Sequence, residues 1–255
     1  MSAKISQSQI QFIRSLHRTK YRQKLHKFII EGDKICAERL QYRDVILEGI
    51  YATRNWLNDH RALLDDIPCF EVTTEQLAKI SSLRTPNQVV GVCAIPQESL
   101  TEAHFLTSLS FYLDTIQDPG NMGTIIRTLD WFGFRTIFVS PGSVDVYNPK
   151  VVQGSMGSLF NVKLIHIELS SLIQELNQPA FPILGTAMHG QNVFEMPFPA
   201  RGLVVIGNEG QGIRPVNQPL ITEYIGIPKI EKATAESLNA AVACGIIAAL
   251  AARNQ

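Results

Sequence analysis

Between residues 109 and 226 one arrangement recurs: a short apolar run, a stretch of helical periodicity, then another apolar run. The runs are "LSFYLD", "TIFVS", "VKLIHI", "FPILGTAM", "GLVVIGN" and "EYIGIP". A strand that is apolar on both sides must be covered on both faces. Helices between such strands supply that cover and act as crossovers, which predicts a mostly parallel sheet. Open sheets of this kind place ligands beyond the carboxyl ends of their strands, so residues just after each run are the first to consider.

The N-terminal part reads differently. Ile5–Leu16 is apolar at helical spacing, and "KFIIEGDKICAERLQ" predicts a strand, a Glu-Gly turn and a helix. "DVILEGIYAT", "CFEVT" and "VVGVCAIP" are rich in β-formers, and "TEQLAKISSL" is a short capped helix. The expectation is a small α/β domain over residues 1–96, a polar linker over 97–107 and a second α/β domain over 108–255. The last stretch, "SLNAAVACGIIAALAARN", is apolar nearly all round, which predicts a helix buried in the fold or in a subunit interface.

Net charge is zero over 255 residues, which argues against a uniformly basic nucleic-acid binder. The distribution is uneven, however. Residues 1–30 carry seven Lys or Arg and no Asp or Glu. Arg18, Lys20, Arg22 and Lys24 cluster there as candidate phosphate contacts; the plain alternative is one solvated helix face. Cys36, Cys69, Cys93 and Cys244 are scattered without a C-x-x-C pair, as in a reduced cytoplasmic protein. No apolar run is long enough to span a bilayer, so no membrane role is expected. Phosphate-loop and dinucleotide glycine signatures are absent, as are H-E-x-x-H and clustered Cys/His ligands, and no metal is expected. His189, just past a strand, reads as a surface histidine.

Three strand-end stretches remain. "QDPGNMGTIIRTLDWFGF" sets Asn121 and Gly123 at a helix start and Arg127 one to two turns on. "VVIGNEGQGI" offers Gly207 and Glu209 among glycines that permit close backbone approach, or merely form a tight turn. "IGIPKIEKATAESLNAAVA" brings Ser237 and Asn239 to the start of the last helix, where either could be a simple cap.

Taken together and in this order, Asn-x-Gly-x-x-x-Arg, Gly-Asn-Glu-Gly-x-Gly and Ile-Pro before Ser-Leu-Asn resemble the SpoU/TrmH family. These are S-adenosylmethionine-dependent RNA ribose 2′-O-methyltransferases of the SPOUT superfamily. The resemblance covers the whole chain and implies a C-terminal SPOUT domain with a deep trefoil knot. It also implies a ribosomal-protein-like RNA-binding domain at the N-terminus, a homodimer, and RNA as partner, with ribosomal RNA favoured over transfer RNA. It carries catalytic roles onto Arg127, Asn121, Glu209, Ser237 and Asn239, and methyl-donor contacts onto Thr186, Ala187, Gly207, Ile227 and Leu238, with Thr186 and Ala187 in a loop along the donor. The chain departs from the family at "KIEKATAE", which is about two residues longer than the family pattern and lacks its usual glycine. Other readings are a transfer RNA methyltransferase, a non-catalytic RNA-binding or ribosome-assembly protein of the same fold, and an unrelated doubly wound nucleotide enzyme. The last expects a glycine fingerprint that "QDPGNMG" does not supply.

Overall fold

A computed structural model describes residues 3–43, 45–97, 108–178 and 180–253. Most of the linker expected over 97–107 lies outside the described residues. By contacts the chain forms two compact units, one of residues 1–97 with 147–160 and one of residues 98–146 with 161–255.

The first unit is built on a five-stranded mixed sheet. Its strands are β1 (Ala3–Lys4), β2 (Lys27–Glu31), β3 (Leu47–Ala52), β4 (Cys69–Glu71) and β5 (Val89–Ala94), in the order β1-β4-β3-β5-β2. β5 runs antiparallel to both its neighbours, while β1, β4 and β3 pair in parallel. Helices α1 (Gln7–Ser15) and α5 (Thr74–Ile80) each begin with a capping box, on Ser6 and Thr73. Their apolar stripes (Ile10, Ile13, Leu77 and Ile80) cover the face bearing Ile29, Tyr51, Val90 and Val92. Each such side chain fully buried stabilises the fold by roughly 1.5–3 kcal/mol. Phe28 and Ile30 alternate with Ile29 and are fully buried as well. On that other face α3 (Asp33–Tyr42) packs on β2 and β5.

Two features depart from the sequence reading. Residues 147–160, with α7 (Pro149–Gly154), fall within the expected second domain yet group with the first unit. The reason is aromatic packing: the Phe28 ring lies 4.7 Å from Tyr147 and 6.1 Å from Phe160, and the Arg39 guanidinium sits 4.6 Å over Phe160. The second concerns α2 (Thr19–Leu25). Arg18, Lys20 and Lys24 are exposed, but Arg22 is fully buried, donating to the Leu16 carbonyl at 2.8 Å and the Thr19 hydroxyl at 2.9 Å. Residues two apart lie on nearly opposite sides of a helix, so an alternating basic run cannot present one face.

The second unit contains the expected parallel sheet. Strands β6 (Leu109–Leu113), β7 (Thr136–Val139), β8 (Lys163–His166), β9 (Ile183–Asn192), β10 (Gly202–Ile206) and β11 (Glu223–Gly226) lie in the order β11-β9-β10-β6-β7-β8. Every pairing is parallel. β6, β7 and β10 are buried at every residue, as strands covered on both faces must be. α6 (Pro119–Trp131) packs with α9 (Ala240–Ala252), and α8 (Leu169–Leu176) lays Leu169, Leu172 and Leu176 into the core around Tyr112, Phe138 and Val205. Among the described residues no helix is long and apolar enough to cross a membrane, and no cluster of three His, Cys, Asp or Glu could hold a metal.

Candidate active site

The carboxyl ends of β6 and β10, neighbours in the sheet, carry two of the loops singled out by sequence. β6 leads directly into Asp114, a fully buried carboxylate. Oδ1 accepts from Nε of Arg214 at 2.6 Å; Oδ2 accepts from the Arg214 backbone and from Asn217 Nδ2, each at 2.9 Å. The Arg214 guanidinium continues to Glu168 at 2.8 Å. Burial would lower the Arg214 pKa, but the bonds to Glu168 and Asp114 outweigh it and hold the group firmly protonated. Burial, reinforced by the Asp114 charge, pushes the neighbouring Tyr112 phenol up. A buried carboxylate is tolerable only when paired and hydrogen-bonded in this way, and the pairing fixes the chain after β10 against the end of β6.

That chain is a tight loop. Asn208 and Gly212 exchange backbone hydrogen bonds at 3.0 and 2.9 Å, while Asn208 Oδ1 accepts from the N–H groups of Gly210 and Gln211. Its Nδ2 donates to the Thr115 carbonyl at 2.9 Å, joining this loop to the one that opens α6. A Cβ at Gly207 would lie 2.5 Å from the Gly212 carbonyl carbon, so only glycine fits.

α6 starts as its sequence dictates. Asp118 caps it by accepting from the Asn121 N–H at 2.8 Å, and Pro119 occupies the first helical position. Asn121 then faces Glu209, donating to its carboxylate. Its Oδ1 accepts from Asn239 Nδ2 at 2.9 Å, and Asn239 Oδ1 caps α9 by accepting from Ala241 and Val242. The chain of bonds sets its own direction. A carboxylate can only accept, so Asn121 presents its NH2 to Glu209 and its oxygen to Asn239, whose own oxygen is then free for the helix N–H groups.

Of the residues expected at the site, the structure thus brings Asn121, Glu209 and Asn239 into one hydrogen-bonded chain. Arg127 lies further along α6, exposed, with no ion pair or hydrogen bond among the described residues. Ser237 is exposed and Leu238 is 47% exposed, both immediately before the Asn239 cap. Thr186 and Ala187 lie inside strand β9 rather than in a loop. The Thr186 hydroxyl donates to the Val205 carbonyl at 3.0 Å and accepts from the Gly207 N–H at 3.3 Å, stapling β9 to the end of β10. Ile227 directly follows β11. His189 is exposed. Sequence reasoning missed Asp114, Glu168, Arg214 and Asn217. One signal was present: the apolar run "LSFYLD" closes on a charge, at the strand end where a buried partner would be needed.

Comparison with known proteins agrees with this architecture. Residues 108–249 match the SpoU rRNA Methylase family, and residues 7–91 match the MRM3-like substrate binding domain. The 23S rRNA (guanosine(2553)-2′-O)-methyltransferase RlmP of Bacillus subtilis is 29% identical over 235 residues, 92% of each chain. A TrmH-family protein from Porphyromonas gingivalis superposes with a TM-score of 0.88 at 34% identity, over 99% of this chain and 100% of that one. The SpoU methyltransferase AviRb of Streptomyces viridochromogenes, solved in complex with AdoMet, superposes with a TM-score of 0.83 at 25% identity, covering 97% and 98%. With residues 108–249, more than half of its length, matching that family, the chain belongs to the SpoU rRNA methylase family.

Proposed function

We propose that this protein methylates a ribose 2′-hydroxyl of ribosomal RNA with S-adenosylmethionine as donor, acting in the cytoplasm as a homodimer. The observation that carries the reading is the Glu209–Asn121–Asn239 chain of hydrogen bonds at the strand ends, with Arg127, unpaired among the described residues, on the same helix as Asn121. The named activity of RlmP and the AdoMet complex of AviRb support the substrate class and the donor. The functional division follows the expected ranges 1–96, 97–107 and 108–255, apart from residues 147–160, and the deep trefoil knot belongs to this reading.

The residues assigned to the donor suit a backbone-lined site. Gly207 sits in a turn too tight for a side chain, and the Thr186 hydroxyl is engaged with Val205 and Gly207, so Thr186 and Ala187 contribute backbone groups. Ile227 and the exposed Leu238 offer apolar surface for a base. Bound there, S-adenosylmethionine would supply an electrophilic sulfonium methyl. The chain's own task is alignment of a weak nucleophile with that methyl, where positioning supplies much of the rate. Arg127, whose guanidinium offers a fork of N–H donors and no acceptor, anchors the phosphate of the target nucleotide and stabilises negative charge growing on the 2′-oxygen. Asn121 and Glu209 hold the two loops in register, and Ser237 with Asn239 completes the site.

Dimerisation is supported by exposed apolar side chains on α6 and α9, Trp131 at the end of α6 (83% exposed) and Val242 in the first turn of α9 (52%). The scattered free cysteines fit a reducing compartment. The direct test incubates the protein with isotopically labelled S-adenosylmethionine and protein-free 23S ribosomal RNA or large subunits, then identifies 2′-O-methylnucleosides by mass spectrometry. Incorporation that Arg127→Ala abolishes is expected; no incorporation into either substrate overturns the reading.

A further inference from the structure

Residues 1–30 are not the only acid-free stretch of the first unit. From residue 76 to 97 there is again no Asp or Glu, while Lys79 and Arg84 are present. Between the two stretches the balance reverses, with ten acids against five bases in residues 31–75. The fold brings the two acid-free stretches together. α1 packs against α5 over the same sheet face, and β2 pairs with β5 along its length. His17 Nε2 bonds the Ile80 carbonyl at 2.9 Å, tying the turn between α1 and α2 to the end of α5. The loop that follows α5 is itself held: Glu31 accepts from the hydroxyls of Ser81 and Ser82 and from the Ser82 N–H at 2.9 Å. That leaves the Glu31 carboxylate engaged with the loop, and Arg84, three residues after Ser81, exposed.

We infer that the α1–α2–α5 side of the first unit is a single RNA-backbone contact surface, in which Lys79 and Arg84 act alongside Arg18, Lys20 and Lys24. Both additions are exposed, and so are those three. Arg22 is not part of it, because it is buried beneath α2. Two acids border this side: Glu31, engaged with Ser81 and Ser82, and Glu75, a turn from Lys79 on α5, where the Thr73 cap hydroxyl and its own backbone N–H bond the carboxylate and lower its pKa. Charge segregation of this kind reconciles a neutral chain with a polyanionic partner, since phosphate contacts depend on local rather than net charge. This inference rests on the RNA-methyltransferase reading and specifies how that reading's substrate is held.

The test measures affinity of the full-length protein for protein-free 23S ribosomal RNA across a salt series, for three sets of neutral variants. Lys79→Gln with Arg84→Gln is the test pair, Arg18→Gln with Lys20→Gln and Lys24→Gln is the reference set, and Lys34→Gln with Arg61→Gln is a control from the acid-rich stretch. Thermal melts confirm that each variant folds. The test pair is expected to bind about tenfold more weakly at moderate salt, with a salt slope shallower by about 1.5, while the control stays at wild type. If the reference set weakens binding and the test pair does not, the extended surface is overturned and the proposed function stands. If neither set has an effect, RNA binding by this unit is overturned as well. A control that weakens binding as much as the test pair overturns the assignment to one side.

Discussion

The two units use charge in opposite ways. The first keeps ion pairs such as Arg54–Glu71 facing solvent and draws its surface bases and acids from different stretches of chain, with Arg22 and Arg39 as buried cations. The second draws Asp114 fully inside and pairs it with Arg214 at the strand ends, where the loops of the site begin. Surface charge gives affinity that salt can tune, whereas buried, paired charge gives fixed geometry. A protein that must grip a long polyanion and align a single hydroxyl has use for both.

The largest effect that would sharpen this contrast is Asp114→Ala, which takes the buried partner from Arg214 Nε, the Arg214 backbone N–H and the Asn217 amide and leaves the guanidinium only Glu168 as an acid partner. It should cost about 3–5 kcal/mol, much of the stability of an ordinary domain, and show as a collapsed melting temperature. A melt within a few degrees of wild type would make the buried pair ornamental. Arg127→Ala comes next. It should leave the melt unchanged and cut turnover by about a hundred- to a thousandfold, as loss of a single charge-stabilising donor does. Wild-type turnover would remove Arg127 from the mechanism. Leu238→Trp should weaken S-adenosylmethionine binding about tenfold or more in calorimetry, equivalent to about 1.4 kcal/mol. Unchanged binding would move the donor away from the loop before α9.

Smaller still is Asn239→Ala, which removes the α9 cap and the bond to Asn121 together. A loss of about 1 kcal/mol is expected from the cap alone, with turnover falling further than that because Asn121 is released; equal falls would reduce Asn239 to a cap. The smallest lies in the first unit. Arg54→Ala breaks an exposed ion pair with Glu71 at 2.9 Å and should leave the melting temperature where it was. A clear drop there would blur the distinction between the units.

How much of this was legible beforehand depends on range. The strands of both units were readable because burial and alternation are local patterns, and caps such as Ser6, Thr73 and Asp118 announce their helices within three residues. The meeting of Asn121, Glu209 and Asn239 was expected from the family resemblance, since nothing in the residues themselves says that positions 88 and 118 apart will touch. The Asp114–Arg214 pair spans 100 residues and went unseen for the same reason. Tyr147–Phe160 went unassigned to the first unit because an aromatic segment carries no mark of which core it will join. Arg22 was misplaced by reading a basic run as a surface, when helix geometry turns alternate residues inward.

The distance along the chain between Asp114 and its partner also has a meaning in time. During synthesis Asp114 leaves the ribosome 100 residues ahead of Arg214, and at about 5–20 residues per second that is a wait of about 5–20 s. The end of β6 therefore cannot close on its native partner while the intervening strands are being made, and Asn121 must wait longer for Asn239. The first unit's core requires nothing beyond residue 160. The first unit can thus be complete before the site of the second can form, and if that unit grips RNA as proposed, a nascent chain could hold RNA some seconds before it could modify it.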